Sequence, residues 1–314
     1  MSAPILGIHH ITAIATDPQP NLDFYTQVLG LRLVKKTVNF DDPGTYHLYF
    51  GDELGRPGTI LTFFPWPRAR RGSRGTGQAT VTAFSVPTGS LDHWTERLEK
   101  EGVVVAERGR RFEEQYLTLL DPDGLKLELV AQPQAGAQSP WSDGPVPEAA
   151  AIRGFHSLTL TLEGYESTAA LLTETMGFHA AGDQQNRFRF ATRGSCPGSL
   201  VDLLCSPDTA AGHVAAGTVH HVAFRVASHD DQVAARELLI ARGMNVTPIL
   251  DRNYFESIYF REPGGVLFEI ATDPPGFTAD ESLEELGTNL KLPAWLESHR
   301  SQIEGALPEL VTPR

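Results

Sequence analysis

Two histidine doublets are the residues of this sequence best suited to chemistry. One lies in the apolar run "IHHI" at 8–11 and the other in the similar run "VHHV" at 219–222. Successive side chains of a β-strand point to opposite faces, so strict alternation lets only one histidine of each pair face a shared metal ion. Imidazole is a common ligand of first-row divalent metals. The doublets therefore predict either four core histidines or two contributions to one metal site.

The strands that carry the doublets belong to a repeat. A unit of one strand, one helix and three short strands recurs four times, opening at 8–17, 79–87, 155–164 and 219–228. The closing strands "DPDGLKLELV" and "EPGGVLFEIA" share an acidic-Pro-x-Gly turn and a glutamate at the same offset. Repetition of this kind predicts copies of one supersecondary unit. We expect an α+β fold of four βαβββ modules, forming two pseudo-repeat domains with cupped mixed sheets and followed by a C-terminal helical tail.

A segment rich in Pro, Gly, Ala and Ser at 131–151 is typical of a linker. It predicts an N-terminal domain at 1–135, containing modules one and two, and a C-terminal domain at 152–273, containing modules three and four. The remaining residues, 274–314, form the predicted tail. Within that tail, "AWLESHRSQIEGAL" has an apolar stripe at helical spacing, so we expect a helix packed on the outside of a module.

Alignment of the modules reveals two recurring polar positions. The position in the opening strands holds His10, Val81, His156 and His221. The position in the closing strands holds Thr62, Glu128, Asp202 and Glu269. Histidine at one position and carboxylates at the other favour a metal site over unrelated core residues. This register selects His10 and His221 from the doublets. It leaves His9 and His220 for core packing or, where a strand bulges, for contacts around the ligands.

The spacing alone leaves open which modules share the site. Pairing modules three and four would assemble the four-ligand set of a glyoxalase-type isomerase, namely His156, Asp202, His221 and Glu269. Pairing modules one and four would leave two histidines and one carboxylate with open coordination positions, because Thr62 is a weak ligand. That arrangement suits non-haem Fe(II) and oxygen chemistry. The doublets occur only in modules one and four, which favours the second pairing.

Composition limits the partners. The net charge of −13 and isoelectric point of about 5.3 argue against nucleic acid and anionic membranes, which require a concentrated basic face. The exception, four arginines at 67–75, is expected to be a solvated connector. Two cysteines predict neither a disulfide framework nor a zinc site and favour a cytoplasmic protein. No secretory signal is recognisable, and no apolar run approaches the ~18 residues of a membrane span. We expect small-molecule partners and a possible homo-oligomer.

Several segments resemble the vicinal oxygen chelate superfamily and, more narrowly, its dioxygenases that cleave the ring of hydroquinones. The resemblance covers nearly the whole chain. The segments are "LGIHHITAIATD", "YHLYFGDELGRPGTILTFFPWP", "RGFHSLTL", "GTVHHVAFRV", "DRNYFESIYFREPGGVLFEIATD" and "LGTNLKLPAWLE". The resemblance implies a ring-cleaving dioxygenase whose substrates are O2 and a small aromatic diol, either a hydroquinone or a catechol.

The resemblance also implies roles for individual residues. The Fe(II) ligands would be His10, His221 and Glu269, with Mn(II) as a possible substitute. Tyr259 would donate a hydrogen bond or proton during the oxygen chemistry, and Arg252 would hold it in position. Thr12, His9 and His220 would lie nearby. His156 and Glu128 would belong to the other module pair, a relic without a full ligand set. The rival predictions are a glyoxalase-like isomerase or transferase and a metal-free module that binds aromatic compounds.

Overall fold

The computed structural model describes residues 5–133, 135, 139–194 and 197–312, so one of the two cysteines, Cys196, lies outside the described residues. Module one contains β1 (Gly7–Ala15), α1 (Pro18–Asp23), β2 (Arg32–Asn39), β3 (Asp42–Gly51) and β4 (Ile60–Pro65). Module two contains β5 (Gln78–Pro87), α2 (Leu91–Lys100), β6 (Val105–Arg111), β7 (Glu114–Leu120) and β8 (Lys126–Gln132). Module three contains β9 (Phe155–Leu162), α3 (Glu166–Ala170), β10 (His179–Gln184), β11 (Arg187–Ala191) and β12 (Leu200–Cys205). Module four contains β13 (Val219–Val226), α4 (His229–Ala241), β14 (Leu250–Asp251), β15 (Phe255–Arg261) and β16 (Leu267–Pro275), and the tail contains α5 (Arg300–Ala306). The predicted α+β fold of four βαβββ modules is confirmed.

Local sequence signals explain the first helix. Asp17 precedes it, and the Asp17 carboxylate accepts a hydrogen bond from the Gln19 N–H at 3.0 Å. Pro18 occupies the first helical position, where a missing N–H costs nothing. The helix continues as a wider π-helical turn over Phe24–Val28. Gly30 follows with a φ of 71°, the left-handed conformation with which helices commonly end.

The strands form two curled, mixed sheets of eight strands each. Modules one and four build the first sheet, in the order β14-β15-β16-β13-β1-β4-β3-β2. Modules two and three build the second, in the order β10-β11-β12-β9-β5-β8-β7-β6. In each sheet the two opening strands meet antiparallel at the centre, and the closing strands flank them in parallel. Each sheet thus takes half its strands from either side of the 131–151 segment. The division into domains at 1–135 and 152–273 stays a prediction.

The tail contains the predicted helix over part of its expected segment. Only Arg300–Ala306 is α-helical, preceded by a 3-10 turn over Glu297–His299, and most of the segment is irregular. Of the predicted apolar stripe, Ile303 and Leu307 are buried whereas Trp295 is 51% exposed. The tail instead follows the edge of module one, where Lys291 donates its backbone N–H to the Lys36 carbonyl at 2.9 Å. Among the described residues, no helix is long and apolar enough to cross a membrane.

Candidate metal centre

The central strands of the first sheet bring together the three predicted ligands. Strands β1 and β13 run antiparallel, and their register sets His10 opposite Ala223. Strand β16 runs parallel to β13 and places Glu269 on the other side of Ala223. His221 lies two residues before Ala223 and therefore projects from the same face of the sheet. Residues more than 200 positions apart in sequence thus converge on one point.

At the position where module four has the Glu269 carboxylate, module one has the Thr62 hydroxyl. Thr12 lies opposite His221, and Thr62 pairs with Thr12 on the adjacent parallel strand. The Thr62 and Thr12 hydroxyl oxygens are 2.9 Å apart, and the Thr62 hydroxyl is 2.8 Å from Nε2 of His47. Thr62 therefore occupies, in module one, the position that Glu269 occupies in module four. Its hydroxyl is a weak metal ligand and is already hydrogen-bonded.

Each histidine doublet contains a β-bulge. The register between β1 and β13 skips His9 on one strand and His220 on the other. A bulge locally breaks the alternation of side chains and re-aims one of them. Nδ1 of His9 consequently lies 2.9 Å from Nδ1 of His10, and Nδ1 of His220 lies 2.7 Å from Nδ1 of His221. These contacts engage the Nδ1 side of each predicted ligand and leave its Nε2 atom facing the site.

The three potential ligands present atoms to one common space. Nε2 of His221 lies 3.0 Å from Oε2 of Glu269, and Nε2 of His10 lies 3.3 Å from the same oxygen. All three side chains are buried, and their ligand atoms lie within 4.8 Å of one another. Among the described residues, His10, His221 and Glu269 form a group that could hold a metal ion.

The Glu269 carboxylate is held at one oxygen and left unsatisfied at the other. Ser257 donates its hydroxyl to Oε1, and both side chains are fully buried. Oε2 makes no hydrogen bond of good geometry despite its two imidazole neighbours. A buried carboxylate oxygen without a hydrogen bond costs free energy unless a cation compensates it. The arrangement therefore fits a divalent metal ion bound at Oε2 and the two Nε2 atoms.

The charge states match what such an ion needs. Burial lowers the pKa of His221, although the nearby Glu269 partly opposes this effect. Burial alone would raise the pKa of Glu269, but the two imidazoles outweigh it and hold that pKa well below its usual range. Near neutral pH the site thus contains a neutral His221 imidazole and an ionised carboxylate. Metal ions bind histidine and glutamate in these forms.

A cavity of about 320 Å³ opens above the site and gives it access to small molecules. His10 and His221 lie in its wall. The aromatic and apolar lining consists of Phe40, Tyr49, Phe64, Trp66, Phe255, Tyr259 and Leu267. The other polar lining consists of Asn39, Asp41, His47, His220 and Arg252. This mixture of apolar walls and a few convergent polar groups is typical of small-ligand sites.

The five further predicted site residues divide into two groups. Tyr259, Arg252 and His220 line the cavity, and the Tyr259 ring lies 5.7 Å from the His221 ring. The Arg252 guanidinium lies 5.4 Å from the Tyr259 ring centre, within the range of a cation–π contact. His9 and Thr12 are buried beside the ligands rather than in the cavity lining. The structure thus places all five near the site.

Sequence reasoning missed two residues of this site. His47 on β3 lies in the cavity wall, with its Nδ1 2.8 Å from the Tyr49 hydroxyl and its ring 4.3 Å from that of Phe64. Ser257 orients the Glu269 carboxylate. Both occupy alternate positions of strands, "YHLYF" and "FESIYF", in which a polar residue recurs every second place. That alternation was a usable signal, because it puts His47 and Tyr49 on the same face of their strand, and Ser257 and Tyr259 on the same face of theirs.

The second sheet carries ion pairs at the corresponding positions. Arg189 binds both oxygens of Asp202, at 2.7 and 3.0 Å, and Arg111 pairs with Glu128. His156 lies 3.0 Å from Glu114. In the strand register, Arg189 faces Asp202 as Tyr259 faces Glu269 in the first sheet. Guanidinium groups therefore provide the positive charge that a metal ion would provide in the first sheet.

This arrangement also separates the residues of the four-ligand alternative. His156 and Asp202 belong to the second sheet, whereas His221 and Glu269 belong to the first. The structure therefore does not assemble the ligand set expected of a glyoxalase-type isomerase from modules three and four. It pairs module one with module four, as the positions of the doublets favoured.

Comparison with known proteins agrees with this geometry. The family model described as "Glyoxalase/Bleomycin resistance protein/Dioxygenase superfamily" matches residues 7–129 and 154–270. The chain is 50% identical over 309 residues to the "Putative ring-cleaving dioxygenase MhqO" of Bacillus subtilis (strain 168), covering 98% of each chain. It is 40% identical over 305 residues to the "Chlorohydroquinone/hydroquinone 1,2-dioxygenase" of Sphingobium indicum, covering 95% of this chain and 94% of the relative.

Solved structures share the fold. A crystal structure described as a putative dioxygenase from Bacillus subtilis superposes with a TM-score of 0.95, at 48% identity and full coverage of both chains. Glyoxalase I from Zea mays superposes with a TM-score of 0.63 at 14% identity, over 90% of this chain and 95% of that chain, which shows a common fold alone. On these matches, the chain belongs to the glyoxalase, bleomycin resistance protein and dioxygenase superfamily.

Proposed function

We propose that this protein is an Fe(II)-dependent, extradiol-type dioxygenase that cleaves the ring of a hydroquinone or a related aromatic diol. One observation carries the proposal: two histidines and one glutamate converge on a point that opens into a cavity with aromatic walls. This face leaves coordination positions for small molecules, as in non-haem Fe(II) oxygenases. The names of the relatives support the same class of reaction.

In this proposal His10, His221 and Glu269 hold the metal ion. Bound Fe(II) would favour the phenolate form of the diol and would allow electron transfer from the ring to O2. Mn(II), which also accepts nitrogen and oxygen ligands, is the expected substitute. Ser257 keeps the Glu269 carboxylate oriented, and the doublet contacts do the same for the two imidazoles.

The cavity walls bind and orient the ring. At about 320 Å³ the cavity lies at the lower end of the range for small-ligand sites, which suits a single aromatic ring with small substituents. Phe64, Trp66 and Phe255 offer apolar and aromatic faces to it. Asp41 lies 3.4 Å from the Arg252 guanidinium and partly compensates its charge at the cavity wall.

The protonation states of Tyr259 and His47 set the hydrogen bonds that the cavity can offer. Burial, with a smaller contribution from Glu269, raises the pKa of the Tyr259 phenol, so that it remains a hydrogen-bond donor at neutral pH. Burial lowers the pKa of His47 well below its usual range, so that its imidazole stays neutral near pH 7 and forms hydrogen bonds with hydroxyl groups. Tyr49 and Thr62 contact its two ring nitrogens at 2.8 Å each and fix the ring. We assign Tyr259 to donate a hydrogen bond or a proton during the reaction, and His47 to hold the Tyr49 and Thr62 hydroxyls in position beside the site.

Oxygen consumption tests the proposal directly. The protein would be loaded with Fe(II) under anaerobic conditions, and O2 uptake measured with a panel of hydroquinones and catechols. We expect uptake with at least one diol and its loss in Glu269→Gln. Absence of uptake with every diol would contradict the proposed function.

Two histidine variants distinguish the rival functions. His10→Gln should abolish activity, whereas the matched variant His156→Gln in the second sheet should retain it. An isomerase that used modules three and four would show the reverse dependence. A metal-free binding module would carry no iron and would bind aromatic compounds equally well as Glu269→Ala.

A further inference from the structure

The C-terminal tail closes the back of the metal site. A separate apolar cluster lies there, formed by Val34, Tyr49, Ile60, Ala223, Tyr254, Phe255, Ala271, Phe277 and Leu286. Two of its members, Phe277 and Leu286, come from the tail. The Phe277 ring lies 5.1 Å from the Tyr49 ring and 5.2 Å from the Tyr254 ring. The tail therefore supports the cavity from two sides, behind Tyr49 and behind Tyr254.

A buried group of charged and polar side chains binds the tail to modules one and four beside the apolar cluster. Lys35 is fully buried, and its ammonium group contacts Asp280 at 2.6 Å and Glu281 at 2.5 Å. The other oxygen of Asp280 accepts a hydrogen bond from the Tyr254 hydroxyl at 3.0 Å. The Lys35 ammonium also lies 4.9 Å from the centre of the Tyr254 ring. One tail carboxylate thus joins β2 of module one to the turn before β15 of module four.

That turn presents two cavity residues. Arg252 and Phe255 line the cavity, and between them Tyr254 points back into the cluster. The Arg252 N–H donates to the Phe255 carbonyl at 2.9 Å, which closes the turn. Asn253 has a φ of 68°, a conformation that surrounding contacts must maintain. The position of Arg252 over Tyr259 therefore depends on how firmly Tyr254 is held.

We propose that Asp280 is a positioning residue of the active site, which anchors Tyr254 so that the 252–255 turn keeps Arg252 and Phe255 in the cavity. The inference rests on the proposed function for its kinetic consequence, but its structural consequence can be measured without any substrate. A small displacement of an orienting group is enough to slow catalysis substantially. The tail is thereby a part of the site rather than an outer covering.

Two tyrosine variants, one as the test and one as its control, examine this proposal. Tyr254→Phe removes only the hydroxyl that Asp280 binds. Tyr46→Phe is the matched control, because the Tyr46 hydroxyl donates to the Pro308 carbonyl of the tail at the same 3.0 Å, away from the turn. Amide hydrogen exchange of 250–258 and steady-state oxygen uptake would be measured for both. Asp280→Asn is a further variant, in which Glu281 still compensates the charge of Lys35.

We expect Tyr254→Phe to speed exchange at the Arg252 amide roughly tenfold and to lower kcat about tenfold, with bound metal and KM for O2 unchanged. Asp280→Asn should act in the same direction and Tyr46→Phe should do neither. In a variant that already carries Arg252→Gln, adding Tyr254→Phe should lower kcat by less than it does in the wild type, because part of its effect acts through the Arg252 guanidinium.

Three results would overturn the inference: equal exchange and kcat in Tyr254→Phe and the wild type, equal effects of the two tyrosine variants, or full additivity with Arg252→Gln. Absence of activity in the wild type with every diol would count against the proposed function alone. The exchange measurement would then decide the positioning role by itself.

Discussion

Replacing Ser257 by Ala should weaken metal binding without removing any proposed ligand. The Ser257 hydroxyl is the donor to Oε1 of Glu269, and both residues are fully buried, so water cannot replace it. Without this donor the carboxylate is free to rotate or to take up a proton, and either change lowers its availability to the metal.

The size of the effect follows from the type of hydrogen bond. Bonds to charged groups contribute about 1.5–3 kcal/mol, and about 1.4 kcal/mol corresponds to a tenfold change in affinity. The predicted loss is therefore roughly 10- to 100-fold. Loss of a partner that orients a metal ligand typically costs the same factor.

Competition with a fluorescent chelator would measure this loss, with Mn(II) as a redox-stable probe and then with Fe(II) under anaerobic conditions. Ser157→Ala is a matched control, because the Ser157 hydroxyl lies 2.9 Å from Nδ1 of His156 and is equally buried, but in the second sheet. The control should bind metal as the wild type does. An affinity of Ser257→Ala within about twofold of the wild type would refute the reasoning.

Four further outcomes are expected. Tyr259→Phe should slow turnover while iron content, measured by metal analysis, stays unchanged. His47→Gln should lower kcat about tenfold without changing the shape of the pH–rate profile, as expected for loss of a group that positions neighbouring hydroxyls. Glu114, whose pKa is lowered to about 2 by His156 and Arg189 against the opposing effect of burial, should stabilise the fold above its ordinary pKa of 4.5 and lose that contribution as pH falls towards 2. Urea unfolding of Glu114→Gln should therefore show a weaker acid dependence, by at most about 3 kcal/mol. Arg189→Leu should lower the free energy of unfolding by about 1–3 kcal/mol, because it removes two hydrogen bonds to the buried Asp202 and leaves Arg187 as its ion-pair partner, while metal binding at the first sheet persists.

The sequence by itself determined the module architecture and the chemistry of the proposed ligands. Alternation along a strand and repetition between modules can be recognised in short stretches of sequence. Aligning the four opening strands was therefore enough to select His10 and His221 from their doublets. The same alignment selected Glu269 over the other residues of its strand. The resemblance of the surrounding segments then added Tyr259 and Arg252, which the structure places in the cavity.

Only the tertiary structure decided which modules meet and what surrounds the ligands. Hydrogen-bond register between β1 and β13 joins strands about 200 residues apart, and the bulges at His9 and His220 exist only within that register. The position of the His47 ring depends on Thr62 and Tyr49, whose hydroxyls lie 2.8 Å from its two nitrogens. The second sheet has the same alternation, yet arginines on other strands of that sheet neutralise its acids. Such contacts form between distant segments, and their free energy depends on burial and geometry that no local pattern contains.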